Sequence, residues 1–232
     1  MNVPGDIRHR SEHFLTAPAI FPNNDIKFEV NKIRAQAFAA HRRQAITWSI
    51  AKDKPCNRVI AEKPNLEEEK LVWLNRHDRD CGDLYGVLPL VEGLPVMLTE
   101  HYDRNPEKQL LKGRIGYVKS WVLDEREDSE YDENARYLKY PPQTVLVRFF
   151  EWVRVDGKKV EKPCSWTLDG MSEPGVYPIQ PWPRSWYLDQ RRDNPVLKVS
   201  RFQLPLAPAY SITAHGSQGQ TLRSAIIDLQ IG

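Results

Sequence analysis

The chain lacks any apolar run approaching the roughly 18 residues of a membrane span, and its first thirty residues carry charges throughout, so they do not read as a secretory signal. Cysteine is scarce: Cys56, Cys81 and Cys164 are far apart and odd in number, with no C-x-x-C and no histidine at a ligand spacing. That pattern points to free thiols in a reducing intracellular compartment, not to disulfides or zinc. An excess of charge is also missing. Lys and Arg number 33 against 31 acids, a net charge of +2 in 232 residues. A polybasic binder is excluded as a description of the whole chain, so any nucleic-acid contact must come from a local basic face. There is no G-x-x-x-x-G-K-[ST], no G-x-G-x-x-G and no G-x-S-x-G. The chain therefore has no phosphate-cradling loop, dinucleotide fingerprint or hydrolase elbow of its own. Glycine is few (12) beside 18 prolines and 7 tryptophans, a balance that suits rigid turns and short aromatic strands.

What is present changes character along the chain. Residues 1–15 are polar and basic and read as a flexible lead-in. Pro18 to Phe21 suits a short strand. Asn23-Asn24-Asp25 is a helix start, and Ile26, Val30, Ile33, Ala37 and Ala40 recur at helical spacing. The spacing predicts an amphipathic helix over 25–43 whose outer face carries Lys32, Arg34, Gln36, Arg42 and Arg43. Such a face is either merely solvated or a track for DNA. Val59–Ala61 suggests a strand, and Asn65 with Glu68 a capping box opening a helix to about Arg76.

From Leu88 the period becomes two. Strands are predicted at Pro95–Thr99, Ile115–Trp121 and Thr144–Val155, with turns at 110–113 and at Asp156-Gly157, and a partner strand from about Lys159. Residues 124–133 hold seven acids against one arginine and read as a solvated loop. Tyr177–Trp186, with Pro178, Pro181 and Pro183, suits an extended linker or edge strand. Arg201–Leu206, Pro208–Ile212 and Ser224–Leu229 again look like buried strands. The order α/β, all-β, α/β is that of a β module inserted into an α/β domain.

The densest polar constellation is Thr213, His215, Ser217, Gln218 and Gly219, after an apolar strand and where a helix would begin. Backbone N–H groups and hydroxyls there suit a phosphate, and Gly219 allows close approach. The segment Gln203–Leu229, QLPLAPAYSITAHGSQGQTLRSAIIDL, resembles motif V of superfamily-1 DNA helicases of the RecD-like and PIF type. Gly93–Val118, GLPVMLTEHYDRNPEKQLLKGRIGYV, is similar to that family's VML and NG block, and Ala19–Phe38, AIFPNNDIKFEVNKIRAQAF, to its motif IV. The three blocks stand in the family's order.

The resemblance implies an α/β fold: a second RecA-like lobe interrupted by an SH3-like β insert. It implies RecA-like segments at 16–94 and 186–232, with the insert at 95–185. It places Thr213, His215, Ser217, Gln218 and Gly219 in motif V, where DNA backbone contact is coupled to the nucleotide, with Thr213 and Ser217 on phosphate and Gln218 in coupling. Phe21, Asn23, Asn24 and Asn31 fall in motif IV, near the nucleotide. Asn24 suits helix capping and Phe21 core packing equally well. Lys32, Arg34, Arg42, Arg43 and Lys112 are the candidate DNA contacts. The motif V lysine is Gly216 here, and the family asparagines are His101 and Lys112. The partners implied are single-stranded DNA and an N-terminal RecA-like lobe that the sequence lacks. ATP and Mg²⁺ belong to the complete enzyme, no metal site is assigned here, and the chain alone is expected to bind neither and to lack ATPase activity. The alternative is a non-catalytic module that binds nucleic acid or a protein. Trp152, Trp166, Trp182, Trp186 and Tyr187 suit base stacking or, more commonly, the core of a small barrel.

Overall fold

The computed structural model describes residues 17–21, 25–128, 134–213 and 225–227. They form a mixed α/β protein with four sheets among them. Strand β1 (Ala19–Phe21) leads toward helix α1 (Asp25–Arg42). Strands β2 (Ile46–Ile50) and β3 (Lys52–Pro55), helices α2 (Arg58–Ala61) and α3 (Leu66–Leu74) and a 3₁₀ turn at Asp78–Cys81 follow. Next come β4 (Val87–Leu90), β5 (Pro95–Leu98), β6 (Ile115–Val122), β7 (Ala135–Leu138), β8 (Thr144–Val155) and β9 (Lys158–Pro163). After these stand β10 (Val176–Ile179), β11 (Trp182–Tyr187), β12 (Lys198–Gln203), β13 (Leu206–Pro208), β14 (Ser211–Thr213) and β15 (Ile226–Ile227). No helix among the described residues is long and apolar enough to cross a membrane.

The largest sheet runs β10-β8-β6-β5-β13, with β9 paired to β8. Its β8–β9 hairpin turns on Asp156 and Gly157, both at positive φ (50° and 76°), the pairing a type I′ turn requires. Beyond Phe149, β8 leaves β6 and β10 and pairs with β9, forming a two-stranded ribbon. A second sheet, β14-β1-β15, is wholly parallel. The sheets β11-β12-β3 and β4-β2-β7 run across the residue ranges expected for lobe and insert: β7 pairs with β2, and β12 pairs with β3 on one side and β11 on the other. One large apolar cluster joins α1, β2, β4 and the largest sheet, from Ala35 to Tyr210. A smaller one holds Ile60, Trp73, Cys81, Trp186 and Val199.

Helix α1 ends within a residue of its predicted limit, but it buries a different face. Ile33 is 59% exposed, and Ala37 and Ala40 face solvent. The buried stripe is Asn31, Ala35, Phe38 and Ala39, flanked by Phe28. Both stripes have helical spacing, and the one with two phenylalanines removes more apolar area from water. Phe28 stacks on Tyr85 at 5.3 Å and Phe38 packs against Tyr210 at 6.1 Å. Val59–Ala61, expected as a strand, lies in α2. Ile60 is fully buried in the smaller cluster, and this tertiary contact overrides the local β preference. Helix α3 begins after Asn65 as expected, yet the Asn65 side chain makes no cap hydrogen bond. A Lys63–Glu69 ion pair at 2.8 Å fixes this end instead.

Buried polarity is concentrated at one point. Arg201 on β12 is 0% exposed and forms a bidentate pair with Asp53 on β3, Nε to Oδ1 at 2.8 Å and Nη2 to Oδ2 at 2.7 Å. It also donates to the carbonyls of Leu84 (3.1 Å) and Trp73 (2.8 Å). One side chain thus fastens β3, β12, the end of α3 and the approach to β4.

Candidate functional site

Strands β1 and β14 pair in parallel, Ala19 with Ser211, Ile20 with Ile212 and Phe21 with Thr213. Their carboxyl ends leave the sheet at the same edge, where ligands of open α/β sheets bind. The register sets Phe21 directly opposite Thr213. Phe21 is half-buried at the end of β1, and Thr213 closes β14. Asn23, Asn24, His215, Ser217, Gln218 and Gly219 lie outside the described residues, each a few positions from one of these two ends.

Asn31 is two turns along α1 and fully buried. Its Nδ2 donates to the Tyr85 hydroxyl at 2.9 Å, while its Oδ1 has no partner among the described residues. Burial drives the Tyr85 phenol above its ordinary range; the nearby Asp78 carboxylate adds to this and the Asn31 hydrogen bond opposes it. Asn31 thereby fixes α1 to the core.

Arg34 does not project from α1 into solvent. Its Nη1 donates to the Ala17 carbonyl at 2.6 Å and to the Tyr210 carbonyl at 3.3 Å, and its guanidinium lies 4.8 Å from the centre of the Tyr210 ring. Burial lowers its pKa, opposed by Tyr210. Ala17 precedes β1 and Tyr210 precedes β14, so this guanidinium holds the entrances of both strands. Lys32 and Arg42 are exposed on α1, and Arg43 is exposed just past its end. Arg42 leans over Phe38 at 5.3 Å, and Arg43 takes a positive φ of 52° where the helix ends. Lys112 is on the turn before β6, bound to Asp83 at 2.6 Å. The structure therefore leaves three of the five candidate cations exposed along α1 and at its end, commits Arg34 to carbonyls and sets Lys112 apart.

The aromatic candidates divide. Trp186 is core, edge-on to Trp73 at 5.9 Å. Trp166 and Trp182 are half-buried in a cluster with Tyr102 and Tyr177. Trp152 and Tyr187 are also half-buried. Sequence reasoning missed Tyr85 and Tyr210, the partners of Asn31 and Arg34. No motif or spacing marks them, because each lies far along the chain from the residue it meets.

No protein-family model matches the chain. It is 44% identical over 48 residues to the ATP-dependent DNA helicase PIF1 of Saccharomyces cerevisiae, a stretch of 21% of this chain and 5% of that protein. Among solved structures it is similar to the Pif1 helicase of Candida albicans, with 20% identity and a TM-score of 0.49, over 91% of this chain and 38% of that one. It is also similar to the Bacteroides Pif1 helicase crystallised with ADP-AlF3 and single-stranded DNA, with 18% identity and a TM-score of 0.42, over 94% of this chain and 35% of that one. The chain thus spans little more than a third of the solved helicases it resembles.

Proposed function

We propose that this chain is the C-terminal motor portion of an ATP-dependent DNA helicase of the Pif1 type. In this reading residues 16–94 and 186–232 are the two parts of a RecA-like lobe, and residues 95–185 contain an SH3-like insert. One observation supports it most: the parallel register that sets Phe21, at the head of the proposed motif IV, opposite Thr213, at the head of the proposed motif V. The short sequence match to a DNA helicase supports the same reading.

In this role Thr213, Ser217 and the amides around Gly219 hold a DNA phosphate, with His215 and Gln218 linking that contact to the nucleotide side. Phe21 offers a half-buried aromatic face of the kind a base packs against, and Asn23 and Asn24 lie beside it in sequence. ATP with Mg²⁺ supplies the phosphoryl chemistry in the complete enzyme. Arg34 acts as a positioning residue, fixing the backbone ahead of both strands so that their ends meet in register.

The test is binding of a fluorescent oligo-dT strand to the 232-residue chain across a salt series. The chain binds the strand, and Thr213→Ala with Ser217→Ala weakens binding at every salt concentration while the salt slope stays as it is, because neutral hydroxyls release no counterions. It hydrolyses no ATP alone, since the P-loop lysine and the Mg²⁺-binding acid are not in its sequence. DNA-stimulated ATP hydrolysis by this polypeptide, or an affinity unchanged in the double variant, refutes the assignment.

A further inference from the structure

Away from the β1–β14 edge, the end of α3, the 3₁₀ turn and the turn between β11 and β12 enclose a cleft of about 450 Å³. Arg76 lines one wall, Arg191 and Arg192 the other, with Leu188, Asp80 and Asp189 between them. The charges do not pair off. Asp189 accepts from the amides of Leu197 (2.9 Å) and Val196 (3.2 Å), and Arg192 stands 3.6 Å from it. Asp189 is thereby engaged in holding the turn and in offsetting Arg192. The guanidiniums of Arg76 and Arg191 have no carboxylate or carbonyl acceptor among the described residues, and Asp80 forms no ion pair with either. Three arginines face two acids, leaving a net positive cleft.

The walls are firm. Arg76 lies 5.3 Å from the centre of the Trp186 ring, which packs edge-on to Trp73 in the smaller apolar cluster. The opposing turn is closed by Leu188 N–H to the Leu197 carbonyl (2.9 Å) and Arg192 N–H to the Asp189 carbonyl (2.9 Å), besides the two bonds to the Asp189 carboxylate. Holding guanidiniums on braced supports lowers the ordering cost of binding an anion, and their planar fork matches phosphate oxygens.

We propose that this cleft grips backbone phosphates of a nucleic-acid strand, as a second anchor separate from the β1–β14 edge. The proposal rests on the reading of the chain as a DNA-handling module. Arg191 and Arg192 are exposed at the rim, so a phosphodiester chain crosses between the two walls, with Arg76 taking one phosphate and Arg191 the next. Such contacts fix position without reading sequence.

The experiment uses fluorescence anisotropy of oligo-dT and of a mixed-sequence strand, each across a salt series, with the full chain. Arg76→Ala/Arg191→Ala lowers the slope of log affinity against log salt by about 1.4, and weakens binding about tenfold, equally on both strands. Arg191→Glu alone, at an exposed position that holds no other part of the fold, moves the slope the same way. Arg58→Ala, an exposed arginine paired with Glu62, leaves it unchanged. DNA binding with an unaltered slope in both cleft variants overturns the cleft and leaves the helicase reading standing, as does an equal drop in the Arg58 variant. A folded wild-type chain that binds neither strand overturns the helicase reading, and the cleft's ligand with it.

Discussion

Substituting Asp53 tests the account of the buried polar junction most directly. Asp53 and Arg201 meet through two hydrogen bonds of 2.8 and 2.7 Å, with side chains 1% and 0% exposed. Asp53→Asn keeps the size but removes the charge, leaving the Arg201 guanidinium buried without a counter-ion. Removing one partner of such a pair costs about 3–5 kcal/mol, a large share of the roughly 5–15 kcal/mol typical of a whole domain. Arg201→Met costs a similar amount and also strips donors from the carbonyls of Trp73 and Leu84. The double variant Asp53→Asn/Arg201→Met buries no charge, so it loses less than the sum of the two singles, by about 2 kcal/mol or more. Urea unfolding followed by tryptophan emission reads all three, because Trp73 and Trp186 adjoin the pair. Added salt leaves the result unchanged, since a buried pair is weakly screened. A loss below about 1 kcal/mol for Asp53→Asn, or strict additivity in the cycle, refutes the reasoning.

Tyr85→Phe removes the acceptor of Asn31 Nδ2 and lowers stability by about 1–2 kcal/mol in the same unfolding assay. The raised Tyr85 and Tyr210 pKa values favour the protonated folded state, so their contribution is full below the ordinary tyrosine pKa near 10 and is lost as pH rises beyond it. An alkaline titration of stability therefore falls above about pH 10, less steeply in Tyr85→Phe. Gly116→Ala puts a methyl 2.6 Å from Val147 Cγ1 and 2.9 Å from the Arg148 carbonyl, and costs about 1–3 kcal/mol, measured as a lowered Tm. With a thiol reagent at about pH 8, exposed Cys56 reacts first, while Cys81, whose burial pushes its pKa up to about 11 against the pull of Arg201, reacts only on unfolding. Mass spectrometry of the labelled chain reads the order.

The elements visible in the sequence are those that local chemistry decides. Asp156-Gly157 between alternating runs specifies a type I′ hairpin before any tertiary contact forms, and α1 is bounded by its own residues. Its buried face was not readable, because two stripes share the helical period and only the positions of Tyr85 and Tyr210 choose between them. Strand β3 shows the opposite limit. Lys52–Pro55 is charged and short, and it becomes a strand through pairing with β12 and the Asp53–Arg201 junction. At the site, the proposed motifs could be picked out because each is contiguous in the sequence. The commitment of Arg34 was not: its acceptors, Ala17 and Tyr210, lie 17 and 176 residues from it in the chain.

The pairing of Phe21 with Thr213 also sets an order of assembly. Strands β1 and β14 are three residues each and join nearly opposite ends of the sequence. Closing so long an excursion is entropically unfavourable while the intervening chain is disordered. Once the sheets between them have folded, the two ends are delivered together and the closure costs little. The edge thus forms last and depends on everything enclosed: damage anywhere in the excursion registers there first, as a sheet that has failed to shut.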